Sequence, residues 1–346
     1  MKHARFFRCL LIALCMLVAY GLHAQSAIIL KQQKLKRWNI PAANYSGITH
    51  VRGNVYALVS DKPRKADGAS RLHFFSIEQD TLTGRIERVE ELAWSDVLTD
   101  SISAASPSSA EAFPKDAEGV CFYPERQTFF VTDEADQSIR EFTASSEPTG
   151  RRLAVPAQFA RDSIRSNRGF EALCYDASRY QFWTTTESPR PSDEPLTLRL
   201  QSFDESLEPA IQYLYTLDAP ELKAGGRFTA HGASGLCALP SGKLIVLERE
   251  LRIPRRYLGG RCVCKLYEVE PVPQPVPLNK KLICQFQTRL RLFSTAYANY
   301  EGLCPGIRLS DGRQTLLLVA DSQNGAGKGP FHLRDYVRVV VLPAEK

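Results

Sequence analysis

One phrase, written five times, constrains this chain more than anything else in it. The last copy, Asn299–Asn324, is the fullest: NYEGLCPGIRLSDGRQTLLLVADSQN. It reads as a strand opening at Tyr300-Glu301-Gly302-Leu303-Cys304, a turn at Asp311-Gly312, and a second strand, Gln314–Ala320, ending on Asp321. The second strand is nearly all apolar, as a strand buried on both faces must be. The start of strand one and the end of strand two lie side by side in such a hairpin. Glu301 and Asp321 are therefore expected at one rim.

The earlier copies open at Ser46-Gly47-Ile48-Thr49, Glu118-Gly119-Val120-Cys121, Glu171-Ala172-Leu173-Cys174 and Ser234-Gly235-Leu236-Cys237. Their second strands end on Asp61, on Asp133-Glu134, on Glu187 and on Glu248-Arg249. Openings recur about every 50 to 70 residues, a spacing that signals propellers and arrays. A third alternating run follows each hairpin, at Arg71–Ile77, Ser138–Thr143, Thr197–Phe203, Val263–Val269 and Tyr336–Leu342. The expected fold is all-β: a single β-propeller of five blades, each first strand lining the central channel. A sixth blade could be built from Asn279–Phe293, and Ala27–Trp38 could supply an outer strand that closes the ring.

Met1–Ala24 reads as a cleaved signal peptide: Lys2, Arg5 and Arg8 precede the apolar run Cys9–Ala19, and small residues lead to Ala24. The apolar run is too short to span a membrane comfortably. Residues 25–346 form the mature propeller, expected in the periplasm or outside the cell. Removing the three basic residues of the leader lowers the formal net charge from +6 to +3. That is too little to argue for nucleic acid, and the basic cluster Lys31–Arg37 reads as a solvated face.

Seven cysteines remain after cleavage. Cys121, Cys174, Cys237 and Cys304 occupy one equivalent place in four blades, too far apart for disulfides, and read as small buried residues. Cys262 and Cys264 face one side of a strand, and one of them could pair with Cys284.

The segments DAEGVCFYP, NRGFEALCYD, SGLCALPSGKLIVLER and the Asn299–Asn324 copy resemble successive signatures of the esterase-like-activity-of-phytase family, secreted bacterial propellers. The resemblance runs from about Tyr45 to Leu342. It implies a hydrolase acting on phosphate monoesters or related esters.

The chemistry rests on an acidic rim. In this register Glu118, Glu171 and Glu301 point toward one axis, so each raises the others' pKa unless a cation sits among them. A hard cation with oxygen ligands, calcium above all, answers that need. The expected metal set is Asp116, Glu118, Glu171, Glu301, Asp133 and Asp321. Glu118, Glu171, Glu301 and His231 are the expected catalytic residues, with a cation-activated water as nucleophile. Arg168, Arg249 and Lys115 are placed to bind phosphate. Against this stands a structural reading, in which the carboxylates accept backbone N–H groups and the glycine permits close strand approach. Glu248 and Arg249 are adjacent on a strand and point apart, so each needs a partner elsewhere.

No Gly-x-Ser-x-Gly elbow, phosphate-binding Walker loop or dinucleotide fingerprint is present. Ser234 stands where other blades carry Glu and reads as a blade variant. Two functions stay open. One is a metal-dependent hydrolase, working as a monomer on a small-molecule ester. The other is a non-catalytic propeller that binds a glycan, a peptide or a surface partner.

Overall fold

The structure is a computed structural model that describes residues 26–60, 71–97, 112–255, 258–273, 277–291, 296–322, 327–328 and 331–344, with 327, 328, 331 and 332 described by backbone alone. Met1–Ala24, Asp61 and the serine-rich run Ser101–Ser109 lie outside the described residues.

Five antiparallel sheets stand around one axis. Two short N-terminal strands, β1 (Ile28–Ile29) and β2 (Gln33–Lys34), precede the first blade. That blade is β3 (Tyr45–Arg52), β4 (Val55–Ser60), β5 (His73–Gln79) and β6 (Ile86–Leu92). The second is β7 (Ala117–Tyr123), β8 (Thr128–Asp133), β9 (Ser138–Phe142) and β10 (Pro148–Arg152). The third is β11 (Phe170–Asp176), β12 (Gln181–Thr186), β13 (Thr197–Phe203) and β14 (Pro209–Thr216). The fourth is β15 (Phe228–Ala238), β16 (Leu244–Ile253), β17 (Arg261–Val269) and β18 (Lys280–Arg289). The fifth is β19 (Asn299–Arg308), β20 (Gln314–Asp321) and, after the small hairpin β21 (Gly327–Lys328) and β22 (Phe331–His332), β23 (Tyr336–Val341).

The fifth blade takes its outer strand from the other end of the chain. β1 pairs Ile28 with Val341 and Ile29 with Val340, and β2 pairs Gln33 with Val337. The ring therefore closes as the alternation of Ala27–Trp38 suggested. Among the described residues there is no sixth blade: the expected start of one holds β18, the fourth strand of the fourth blade. The fourth blade's inner strand also starts early: β15 begins at Phe228, ahead of the Ser234 opening of that copy.

Each inner strand packs against the next, and β19 packs against β3. Five apolar clusters fill the five seams between blades. The seam between blades four and five holds Leu251, Tyr297, Tyr300, Leu316 and Leu318; that between one and two holds Phe74, Val97, Val120 and Phe129. β20 is buried along nearly its whole length, so alternate side chains enter different seams. Each such Leu or Val contributes about 1.5–3 kcal/mol relative to exposure.

All five inner strands carry a bulge at the same place: Ser46, Glu118-Gly119, Glu171, Ser234 and Glu301 each interrupt the register with the second strand. A bulge re-aims a side chain. Here it turns the Glu or Ser of the repeat off the pleat. The glycine beside it lets neighbouring blades touch. A Cβ on Gly302 would lie 2.7 Å from the Ser46 carbonyl oxygen, and one on Gly47 would lie 2.5 Å from that of Glu118. The bulge frees the Gly119 N–H, which donates to Thr132 Oγ1 at 2.7 Å.

The seven described cysteines are free thiols. Cys121, Cys174, Cys237 and Cys304 are buried as expected. Cys262 and Cys264 contact each other at 3.7 Å between sulfurs, and neither is bonded to Cys284.

Candidate functional site

The bulges gather the repeat's polar residues at one end of the channel, called here the upper face. At bulge level the axis is nearly shut. Ser46, Glu118, Glu171, Ser234 and Glu301, with the residues following them, leave about 10 Å³, no more than one water occupies. On the opposite side the channel widens to about 240 Å³, walled by Thr49, His50, Phe122, Tyr175, Cys237 and Pro305. At bulge level the described residues therefore leave no room for a substrate-sized group.

Two polar clusters occupy that face. The first is centred on Arg249, which is 3 % exposed. Its Nη1 donates to Glu301 Oε1 at 2.9 Å and to Asn299 Oδ1 at 2.8 Å. Its Nη2 donates to Glu187 and lies 3.5 Å from Glu171 Oε1. Glu187 also accepts from Arg168 Nη1 at 2.5 Å, and Arg168 reaches the Thr229 carbonyl at 3.1 Å. Burial works to lower the Arg249 pKa, but Glu187, Glu301 and Glu171 together outweigh it and hold the guanidinium above its ordinary value. Burial, then the charges of Glu187 and Glu301, push the Glu171 carboxyl well up. The cation that the converging glutamates require is thus supplied by the chain itself.

The second cluster is Asp116, Glu118 and Glu134. One carboxylate oxygen from each lies within 4.8 Å of the others, and the group could hold a metal ion. Local structure builds it. Asp116 precedes β7, Glu118 sits on the β7 bulge, and Glu134 follows β8, with its N–H donating to the Asp116 carbonyl at 3.0 Å. Glu134 Oε1 also accepts the Gly169 N–H at 2.7 Å, beside Arg168. The clusters adjoin: Glu134 holds the Gly169 N–H, and the preceding Arg168 holds Glu187 of the first cluster.

The six expected metal ligands are therefore divided. Asp116 and Glu118 come together, while Glu171 and Glu301 lie on Arg249. Asp133 is turned toward Arg140, 2.6 Å away, and burial raises its pKa first. Asp321 is buried opposite Asn299. Among the expected phosphate ligands, Lys115 is exposed, Arg168 is half-buried on Glu187, and Arg249 is enclosed by carboxylates. His231 is half-buried beside Glu250 in register, and its carbonyl accepts Ser188 Oγ at 3.5 Å.

Three participants had no role assigned from sequence: Glu134, Glu187 and Asn299. Glu134 and Glu187 end second strands of the repeat, a signal that already placed them on the rim. Asn299 opens the fifth copy one residue before Tyr300, and nothing in its spacing distinguishes it. Glu248 and Arg249 do point apart. Glu248 accepts from Tyr215 Oη at 2.7 Å and Lys280 Nζ at 2.5 Å, on the outer side of the sheet from Arg249. Ser234 Oγ donates to the Tyr300 carbonyl of the next blade at 3.1 Å, a seam contact with no base attached.

Residues 40–323 match the phytase-like family described as esterase-like activity of phytase. The chain belongs to that family. No curated protein sequence matches this phytase-like propeller. Among solved structures it is similar to an endo-arabinase from Bacteroides thetaiotaomicron, with 13% identity and a TM-score of 0.46, covering 89% of this chain and 95% of that one. It is also similar to the tail fiber of Staphylococcus aureus phage P68, at 9% identity and TM-score 0.43, over 93% of this chain and 53% of the other. An engineered GH43 glycoside hydrolase gives 9% identity and 0.42, over 90% and 52%. Likeness at this level says nothing about what this phytase-like propeller acts on. Among its described residues no helix is long and apolar enough to cross a membrane.

Proposed function

We propose that this phytase-like propeller is an exported hydrolase of small-molecule phosphate monoesters, acting as a monomer and using a divalent cation at its upper face. The observation that carries the reading is the convergence of Asp116, Glu118 and Glu134 within 4.8 Å. Three carboxylates of this kind fit a hard cation, and the irregular loop-and-bulge setting suits calcium better than magnesium. Bound there, calcium would polarise a phosphoryl oxygen and offset its developing charge.

The chain's own residues would do the rest. Exposed Lys115, beside Asp116, and half-buried Arg168, beside Gly169, would orient the phosphate. Gly169 is held in place by its hydrogen bond to Glu134. Glu171 keeps a proton to higher pH than an ordinary carboxyl, so it would give that proton to the leaving oxygen as a water attacks phosphorus, the P–O bond breaks and the water's proton passes to solvent. Glu301, Glu187 and Asn299 would fix Arg249, and Arg249 would keep Glu171 in position. His231 would complete the rim near Ser188. Asp133 and Asp321 support the strand ends that carry Glu134 and Asn299.

The test is hydrolysis of p-nitrophenyl phosphate by the mature protein, with calcium added or chelated. Calcium-dependent turnover that disappears in Glu118→Gln and in Glu134→Gln supports the reading. Turnover indifferent to calcium and to both substitutions ends it.

One observation favours a second reading, a non-catalytic binding propeller. Glu171, Glu187 and Glu301 are engaged by arginine and the axis is shut, so the central part of the face is a fixed polar plug. Calcium-stabilised protein with no turnover on phosphate or carboxyl esters would select it.

A further inference from the structure

Two sulfurs on the third strand of the fourth blade touch. Cys262 and Cys264 lie two apart on β17, so their side chains leave the same face of the strand. Their Sγ atoms are 3.7 Å apart, and neither is bonded to another cysteine. Both are fully buried, in the seam between blades four and five with Leu251, Tyr297 and Tyr300. Across the ladder to β16, Cys264 stands opposite Arg249 and Cys262 opposite Leu251. The pair therefore backs the strand that carries the arginine of the axial cluster.

The two thiols are not equivalent. With Cys264 as donor, their hydrogen bond holds the Cys262 thiol below its ordinary value; Arg249 works in the same direction, against burial and Glu301. Burial, then the same bond, push the Cys264 thiol up. Cys262 is thus the better thiolate, and Cys264 the neutral thiol in contact with it. This is an attacking sulfur with a resolving sulfur beside it. Burial shuts out large or charged oxidants, which leaves a small neutral hydroperoxide.

We propose that Cys262 and Cys264 form a redox-active dithiol, closed by a hydroperoxide to a disulfide within β17. The Cys262 thiolate attacks one peroxide oxygen, the O–O bond breaks, and the departing hydroxide takes up the Cys262 proton as water. Cys262 is then a sulfenic acid. The Cys264 sulfur attacks it, the S–O bond breaks, and the Cys264 proton leaves with that hydroxide as a second water. Two thiols are oxidised, and one hydrogen peroxide is reduced to two waters. Two steps along a strand span about 6.6–6.8 Å, at the upper end of the roughly 4.4–6.8 Å between bridged Cα atoms. Closure therefore draws β17 in, against the ladders to β16 and β18 on its two sides. A bond under such strain is readily reduced, and its formation pulls on the ladder at Arg249. This holds whether or not the upper face hydrolyses esters.

In the test, the mature protein is treated with hydrogen peroxide, quenched with catalase, unfolded in an alkylating reagent and mapped by peptide mass spectrometry. The peptide with Cys262 and Cys264 should lose two hydrogens and take up no label, while Cys284 takes the label. Oxidation should lower the thermal unfolding midpoint, and dithiothreitol should restore both the midpoint and the lost labels. With dimedone present, Cys264→Ala should trap a sulfenic acid at Cys262, and Cys262→Ala should trap none at Cys264. Both cysteines alkylated after peroxide, a bond to Cys284, an unchanged or higher midpoint, or a sulfenic acid trapped in Cys262→Ala and not in Cys264→Ala would overturn the proposal.

Discussion

Arg249 Nη1 lies 2.9 Å from Glu301 Oε1, a pair that the sequence separates by 52 residues and the ring brings together. This contact ties blade four to blade five beside the axis. It also explains how converging glutamates coexist in a buried site. The balance can be tested by removing the cation. Arg249→Met leaves Glu171, Glu187 and Glu301 buried around no charge, and breaking such a buried pair costs roughly 3–5 kcal/mol. Urea unfolding should show that loss. Arg249→Lys should recover only part of it, since a point ammonium cannot reach Glu301, Asn299 and Glu187 at once.

Glu171 should set a pH dependence. Its folded pKa is raised above the ordinary 4.5, so the folded state holds the proton more tightly than the unfolded chain. The stabilisation is complete below about pH 4.5 and is lost as pH rises through the folded value. Glu171→Gln mimics the protonated form and cannot ionise. The stability of the native protein relative to Glu171→Gln should therefore fall as pH rises over that window, measured by denaturant unfolding at a series of pH values. A difference that stays flat or grows with pH would contradict the assignment.

Close packing at the bulges predicts sharp sensitivity. Gly302→Ala puts a Cβ 2.4 Å from Val319 Cγ2 and 2.7 Å from the Ser46 carbonyl. Overpacking of this kind costs about 1–3 kcal/mol. Gly53→Ala, whose Cβ would meet nothing within 4 Å, carries backbone strain at φ 51° but no collision, and should cost less. Thermal unfolding of the two variants gives the order.

Ring closure should matter more than the length of its strands suggests. A variant lacking residues 26–34 loses β1 and β2 and leaves the β23 edge unpaired. The few backbone hydrogen bonds involved contribute about 1 kcal/mol each. The expected loss is about 2–4 kcal/mol by the same reckoning, together with faster exchange of the amide hydrogens of β23.

The five-fold plan was legible because the inner and second strands carry it. Their apolar runs are buried, and the Glu-Gly or Ser-Gly mark is a geometric need of crowding near the axis. The outer strands were mostly missed. β6 alternates poorly, β10 is PTGRR, and β14 is largely exposed, because an outer strand packs little and has no reason to look apolar. The same cause made β18 resemble the start of a sixth blade. The candidate site was half legible. Spacing brought out the carboxylates, and alternation predicted that Glu248 and Arg249 part ways. What could not be read was partner choice across blades. Arg249 finds carboxylates 52, 62 and 78 residues away in sequence. Neighbouring Asp133 and Glu134 diverge, one to Arg140 and the other to Asp116 and Gly169. Such choices depend on how the blades face one another, and no local pattern encodes that.

The central claim is that a divalent cation belongs to Asp116, Glu118 and Glu134, while Arg249 serves the axial glutamates. Calcium calorimetry on three proteins tests it most directly: the native chain, Glu118→Gln/Glu134→Gln and Glu171→Gln/Glu301→Gln. The account predicts one site in the native chain, its loss in the first double variant and its retention in the second. Loss in the second with retention in the first, or no calcium binding by the native chain, would contradict it.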